Sequence, residues 1–129
     1  MFKIHHFANS FISIEGNNSI ITCDPWIGKT TDNGWFSYPL TSPKEVDKKI
    51  YNSDFIYLSH LHCDHLDPKT LKKFKNKNLT LVIKKFNNGV LKRRLQKLFP
   101  KKEIIEIEPF KKKKIKQRFY SCNNSSNHE

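Results

Sequence analysis

Four metal-binding side chains lie within the six residues HLHCDH, positions 60–65. Imidazole nitrogen and carboxylate oxygen are ligands of divalent metals in proteins. His60 and His62 are two residues apart, so in an extended segment both rings project to the same side and reach one ion. Asp64 and His65 are adjacent, so the backbone must turn there, and they address a neighbouring position. The spacing therefore predicts a metal site.

The ligand types also indicate the metal and its chemistry. Histidine and carboxylate favour zinc, with manganese or iron as alternatives, and the spacing suits one ion or two. Two ions about 3.5–4 Å apart would share a hydroxide that attacks a substrate. Asp64 is the candidate catalytic residue, because a carboxylate beside a metal-bound water orients or deprotonates that water. Cys63 lies inside the motif but is predicted to pack, since alternation points it away from His60 and His62.

The cluster needs a rigid element that delivers it. Residues 54–59, DFIYLS, predict an apolar strand buried on both faces that ends at His60. Three short strands precede it, and helices alternate with strands after it, which favours a layered α/β arrangement. The predicted strands are 2–7, 10–15, 19–23, 54–59, 79–83, 104–107 and 115–120. The predicted helices begin at Ser42-Pro43, Asp67-Pro68 and Asn88 and end near residues 50, 74 and 99.

The stretch SHLHCDHLDP after an apolar strand resembles the signature of the metallo-β-lactamase superfamily. TCDPWI at 22–27 and NGWF at 33–36 make it similar to one branch. That branch contains L-ascorbate phosphate lactonases, N-acylphosphatidylethanolamine phospholipase D and the metallo-β-lactamase part of CMP-N-acetylneuraminate hydroxylase. The resemblance covers nearly all the chain and implies an αβ/βα sandwich. It also implies that His60 and His62 bind a first metal, that Asp64 and His65 bind a second, and that Asp24 supports the site from behind these ligands.

Members of that superfamily complete the site with two more His and a bridging Asp from the second half of the domain. Here the remaining histidines are His5, His6 and His128. We therefore expect one domain over 1–129 that corresponds to the N-terminal half, with a flexible tail at 121–129. The predicted activity is hydrolysis of an ester, lactone or phosphodiester by a metal-bound water, weak or absent in the isolated chain. A Rieske iron–sulfur segment is not expected, which disfavours a monooxygenase.

Composition bears on partners and location. The net charge is +12, and most of the 24 Lys and Arg lie in residues 69–118. We interpret these charges as a solvent-exposed basic surface, so nucleic acid is not an expected partner. The alternative function is a non-catalytic protein that binds a metal or a polyanion. We expect a small-molecule substrate, anionic if it meets the basic face, and an oligomer or partner chain that completes the site. Three scattered cysteines, no signal peptide and no membrane span predict a cytoplasmic protein.

Overall fold

The computed structural model describes residues 1–29 and 34–115. Strands and helices follow one another along the chain largely where the sequence predicts them. The elements are β1 (Lys3–Ala8), β2 (Phe11–Gly16), β3 (Ser19–Cys23), α1 (Pro43–Tyr51), β4 (Phe55–Leu58), α2 (Pro68–Lys72), β5 (Thr80–Lys84), α3 (Val90–Leu98) and β6 (Ile104–Ile107). The predicted strand at 115–120 and the tail at 121–129 fall outside the described residues, apart from Ile115, which is not in a strand.

The six strands of the described residues form one mixed sheet in the order of the sequence. β1, β2 and β3 pair antiparallel, because short turns connect them. Asn17 and Asn18 form the β2–β3 turn with φ of 50° and 57°, a left-handed conformation that asparagine tolerates. β3 to β6 pair parallel, and in each case a helix makes the crossover between neighbouring strands.

The three helices bury their apolar residues against one face of the sheet. Val46 and Ile50 of α1, and Leu91 and Leu95 of α3, are buried in a single core cluster with strand residues. The strand residues of this cluster are Phe11, Ile56, Leu58, Leu81 and Ile83. Side chains alternate along a strand, so the opposite face of β4 and β5 carries Phe55, Tyr57 and Val82.

This architecture corrects the predicted fold class. The described residues form one sheet with short helices on one face, with no second sheet, and not an αβ/βα sandwich of the metallo-β-lactamase type. The local patterns are right, but a second layer of strands cannot be read from them, because periodicity reports the faces of an element and not its neighbours. Among the residues described, no helix is long and apolar enough to cross a membrane. The predicted cytoplasmic location stays a prediction.

Candidate metal-binding site

The predicted site residues meet at the carboxyl ends of β3 and β4. These two strands are parallel neighbours, with Cys23 opposite Tyr57, so their next residues leave the sheet at the same edge. The backbone N–H of Asp24 donates to the carbonyl oxygen of Tyr57 at 2.9 Å, which extends the ladder by one residue. Asp24 therefore lies beside Ser59, the first residue after β4 and the last before the histidines.

Asp24 is a buried carboxylate with several hydrogen-bond donors. Its side chain accepts from the Ser59 backbone N–H at 2.8 Å, from the Ser59 hydroxyl at 2.6 Å and from His65 Nδ1 at 2.8 Å. Only 5% of its surface is exposed, and φ is +42°, a left-handed conformation that costs an L-residue about 1–2 kcal/mol. These hydrogen bonds offset both the desolvation of the charge and the backbone strain. The structure thus places Asp24 beside the cluster, while its support of a bound metal stays a prediction.

The three histidine rings of the cluster are in contact. His60 Nε2 and His62 Nδ1 are 3.0 Å apart, and the ring centroids of His60 and His65 are 4.0 Å apart. Two nitrogens bound to one tetrahedral ion at about 2.0–2.1 Å lie about 3.3–3.4 Å from each other. A separation of 3.0 Å is slightly short of that value, so a small rotation of one ring would make room for a shared ion.

Asp64 and His65 form a second pair of neighbouring side chains, while their binding of a metal stays a prediction. Asp64 Oδ2 lies 3.4 Å from His65 Nε2. The turn that creates this pair is one helical turn, because the backbone N–H groups of His65 and Leu66 donate to the carbonyl oxygen of His62 at 3.0 and 2.8 Å. Leu66 is buried in the core and fixes the end of this turn.

The environment changes the proton affinity of two groups near the site. Burial, followed by repulsion from His65 and His62, lowers the pKa of His60, which favours the neutral imidazole that a metal requires. Burial, with a smaller contribution from the Asp24 charge, raises the pKa of Cys23 to about 11. Cys63 is exposed, so the prediction that it packs is wrong.

Other predicted or candidate residues do not join the cluster. His5 pairs with Glu15 at 3.3 Å, and His6 Nε2 is 2.8 Å from the carbonyl oxygen of Asn9, both on the first hairpin. His128 lies outside the described residues. Within residues 1–29 and 34–115, no three His, Cys, Asp or Glu side chains are already arranged to hold one ion, so the cluster consists of two pairs.

Ser59 is the site residue that the sequence prediction leaves out. Its hydroxyl contacts Asp24, His60 Nδ1 at 2.8 Å and His65 Nδ1 at 3.2 Å. A serine hydroxyl bonds many kinds of partner, so the residue type alone does not indicate a role in the site. Its position, directly after the strand and before the first histidine, was the sequence feature that could have identified Ser59 as a site residue.

No family model matches the chain. Relatives that the chain matches include proteins named as Rieske iron–sulfur proteins and others named as cytidine monophosphate-N-acetylneuraminic acid hydroxylases. One is a "Putative Rieske 2Fe-2S iron-sulfur protein" of Mycolicibacterium smegmatis, 35% identical over 85 residues, which are 66% of this chain and 16% of that protein. The cytidine monophosphate-N-acetylneuraminic acid hydroxylase of Asterias rubens is 34% identical over 63% of this chain and 12% of its own length. An inactive cytidine monophosphate-N-acetylneuraminic acid hydroxylase of Homo sapiens is 32% identical over 55% of this chain and 14% of its length.

These names correct the predicted class and cofactor. None of the three relatives described above is named as a zinc-dependent hydrolase of the metallo-β-lactamase superfamily, and the cofactor that the first name gives is a 2Fe-2S cluster. The predictions of that superfamily, of zinc and of ester, lactone or phosphodiester hydrolysis are therefore wrong. The prediction that disfavoured a monooxygenase is also wrong, since hydroxylases are among the relatives. The chain spans about a sixth or less of the length of each relative described above.

The residues described here do not fit a Rieske cluster. Such a cluster takes two cysteine thiolates on one iron and two histidines on the other. Cys63-Asp64-His65 does have a Cys-x-His spacing, which the prediction against a Rieske segment leaves out of account. The other described cysteine, Cys23, is half-buried on β3, and its raised pKa disfavours the thiolate. His65 Nδ1 is also already bound to Asp24. The described residues thus supply no pair of thiolates beside a pair of available imidazoles.

Proposed function

We propose that this chain is the part of a longer hydroxylase-like oxidoreductase that contributes ligands to a mononuclear iron, while the 2Fe-2S cluster is held elsewhere. The names of the relatives support the redox class. The convergence of His60, His62 and His65 with Asp64 at one edge of the sheet is the observation that carries the metal assignment.

The donor set agrees with iron. Two histidines and a carboxylate, with positions left open for the reactants, hold the iron of non-haem Fe(II) oxygenases. In this chain His60 and His62 form one nitrogen pair, and Asp64 and His65 form a nitrogen–oxygen pair, each close to the spacing of two ligands on one ion. Asp24 and Ser59 hydrogen-bond the rings on the side away from the metal, and burial lowers the pKa of His60, which favours the neutral ring that donates a lone pair.

The substrate in this proposal is a small anionic molecule. Hydroxylases of a cytidine monophosphate sugar are among the relatives, and such a compound carries negative charge at neutral pH. The excess of lysine in this chain would attract it over distances comparable with the Debye length. A chain that supplies only pairs of ligands also agrees with the prediction that another segment or chain completes the site.

Iron binding tests the proposal directly. The purified chain is titrated with Fe(II) under anaerobic conditions and the bound iron is measured after dialysis. We expect about one ion per chain at modest affinity, and its loss in a His60→Ala/His62→Ala double variant. The matched control is His5→Ala/His6→Ala, which also removes two neighbouring histidines but leaves the cluster intact.

Reconstitution with iron and sulfide tests the other half of the proposal. The isolated chain should not develop the visible absorption and electron paramagnetic resonance signals of a 2Fe-2S cluster. A stable Rieske-type signal from this chain would show that the cluster is bound here. Equal iron binding by the cluster variant and the control would refute the metal assignment.

A further inference from the structure

The hydrogen bonds around Ser59 have only one consistent direction. A carboxylate accepts hydrogen bonds and donates none, so the Ser59 hydroxyl proton must point at Asp24 Oδ2, 2.6 Å away. The Ser59 oxygen is then left with lone pairs towards His60 Nδ1 at 2.8 Å. The contact is a hydrogen bond only if His60 Nδ1 carries the proton.

The Asp24 carboxylate also fixes the His65 ring, through a direct hydrogen bond. His65 Nδ1 lies 2.8 Å from Asp24 Oδ2, so it donates to the carboxylate directly. In neutral imidazoles a proton on Nδ1 leaves a lone pair on Nε2. Both Nε2 atoms face the other groups of the cluster, since His60 Nε2 lies 3.0 Å from His62 Nδ1 and His65 Nε2 lies 3.4 Å from Asp64 Oδ2.

We propose that Ser59 is a positioning residue that relays the Asp24 carboxylate to His60, and thereby holds His60 in the Nδ1–H tautomer with its Nε2 lone pair directed into the cluster. One buried carboxylate thus sets the tautomers of two histidines, directly for His65 and through a hydroxyl for His60. The tautomer does not depend on iron, whereas its use as a metal-binding state rests on the proposed function.

The backbone explains why a serine suits this position. Ser59 N–H is bonded to Asp24 Oδ1 while its hydroxyl is bonded to Oδ2, so both carboxylate oxygens hold the same residue. This double contact joins the ends of two parallel strands and fixes where the hydroxyl lies. Alanine would keep the N–H contact and lose the relay, and threonine would keep both.

Nitrogen NMR of the metal-free chain tests the tautomer. The ring nitrogens of a uniformly ¹⁵N-labelled chain, stripped with a chelator and held at about pH 8, report which nitrogen of each neutral imidazole is protonated. In the unmodified chain we expect protonated Nδ1 for His60 and His65. A protonated Nε2 on His60 in the unmodified chain would overturn the proposal without any variant.

Four variants separate the relay from a general structural effect. Ser59→Ala should shift His60 towards the Nε2–H tautomer and leave His65 unchanged, and Ser59→Thr should restore His60. Asp24→Asn should perturb both rings. Ser53→Ala, the matched control, removes another buried hydroxyl that bonds Thr22 and the Lys49 carbonyl, and should change neither ring. An unchanged His60 in folded Ser59→Ala would refute the relay, and if Ser59→Ala does not fold, Ser59→Cys, with its weak hydrogen-bonding thiol, replaces it.

Iron affinity distinguishes the Ser59 relay from the proposed function of iron binding. Loss of a partner that orients a metal-binding histidine lowers metal affinity by about 10–100-fold. We expect a loss of that size in Ser59→Ala and near-normal affinity in Ser59→Thr. If the unmodified chain shows the expected tautomers but binds no iron, the proposed function fails and the relay stands. If iron binds equally to the unmodified chain and Ser59→Ala, the relay has no role in metal binding.

Discussion

Side chains alternate between the two faces of the six-stranded sheet, and the faces differ in what covers them. On the helix-side face, Leu58 and Leu81 are buried beneath the helices, with 0% and 1% of their surface exposed. The opposite face, here called the open face, is also apolar. It carries Ile4, Ile12, Ile14, Ile21, Cys23, Phe55, Tyr57, Val82 and Ile105. Most of these side chains are only partly buried, and Ile4 is 69% exposed.

The difference shows that composition alone does not reveal which face is covered. Sheets with parallel strands normally have both faces covered, and their strands read as continuous apolar runs. β5 has this pattern, with Thr80, Leu81, Val82 and Ile83 all buried. Within the described residues the helices lie on one face. The open face has the composition of a covered surface but no helix over it, and its apolar residues outside β5 are partly or fully exposed.

The largest contrast should come from a charge on each face. Leu81→Lys places an unpaired ammonium in the core, which costs several kcal/mol against a total stability of about 5–15 kcal/mol, so the chain should not fold. Ile21→Lys on the open face can extend its ammonium into water, and should remain folded with a loss of about 1–2 kcal/mol. Circular dichroism and thermal melting measure both. If Ile21→Lys also fails to fold, the open face is covered in solution.

A truncation on each face should give a smaller contrast. Leu58→Ala removes a fully buried side chain and should cost about 2–5 kcal/mol, because it loses apolar burial and leaves a cavity. Ile14→Ala on the open face should cost about 1 kcal/mol, since that side chain is only partly buried. Urea denaturation at equal ionic strength measures the difference. Similar costs at the two positions would contradict the assignment of the faces.

Within the part of the chain that the structure describes, one buried polar group on the helix-side face has no hydrogen-bond partner, and its removal should be favourable. Ser13 Oγ is buried and has no hydrogen-bond partner among the described residues. Ser13→Ala removes this desolvated hydroxyl and should stabilise the chain by up to about 1 kcal/mol. Thr22→Ala is the matched control, because its hydroxyl bonds Ser53 at 2.6 Å and its loss should destabilise by about 1 kcal/mol. Destabilisation by Ser13→Ala would indicate a bound water at Ser13.

Thiol alkylation compares the open face with the candidate site. Cys23 has a pKa raised to about 11 by burial, so at pH 8 about one molecule in a thousand carries the reactive thiolate. Cys63 is exposed. Iodoacetamide should therefore label Cys63 before Cys23, with labelling at Cys23 increasing up to about pH 11. Peptide mass spectrometry resolves the two sites, and equal rates in folded protein would contradict the burial of Cys23.

The smallest expected effect on stability comes from the ion pair between Lys49 of α1 and Glu15 of β2. The Lys49 hydrogen bond to Glu15 lowers the pKa of the Glu15 carboxyl. Since the folded-state pKa is below the unfolded value, the pair stabilises the chain above about pH 4.5, and this contribution disappears as pH falls through the lowered pKa. Lys49→Met should return the Glu15 pKa towards its ordinary value in an NMR titration. An unchanged pKa would show that the pair does not form in solution.

The starts of the three described helices show which local features can be predicted from the sequence. Asp67 caps α2 as predicted, accepting from the Lys69 N–H at 3.0 Å. Ser42 lies at the start of α1 as predicted, but its side chain makes no capping hydrogen bond. For α3, Gly89 occupies the cap position, and Asn88 accepts from the Val90 N–H at 3.1 Å. Position is predicted better than contact, because helix boundaries follow from local conformational preferences and side-chain caps depend on a rotamer.

The sequence by itself determined the strands and helices and the grouping of His60, His62, Asp64 and His65, since these follow from periodicity and from spacing along one short segment. Only the tertiary structure decided that Asp24, 35 residues before Ser59, bonds to it and to His65. That contact exists because β3 and β4 pair in parallel and end at the same edge, a non-local register that no single segment specifies. The tertiary structure also decided that the helices of the described residues lie on one face of the sheet, because the alternation within a strand gives two apolar faces but not the partner of each.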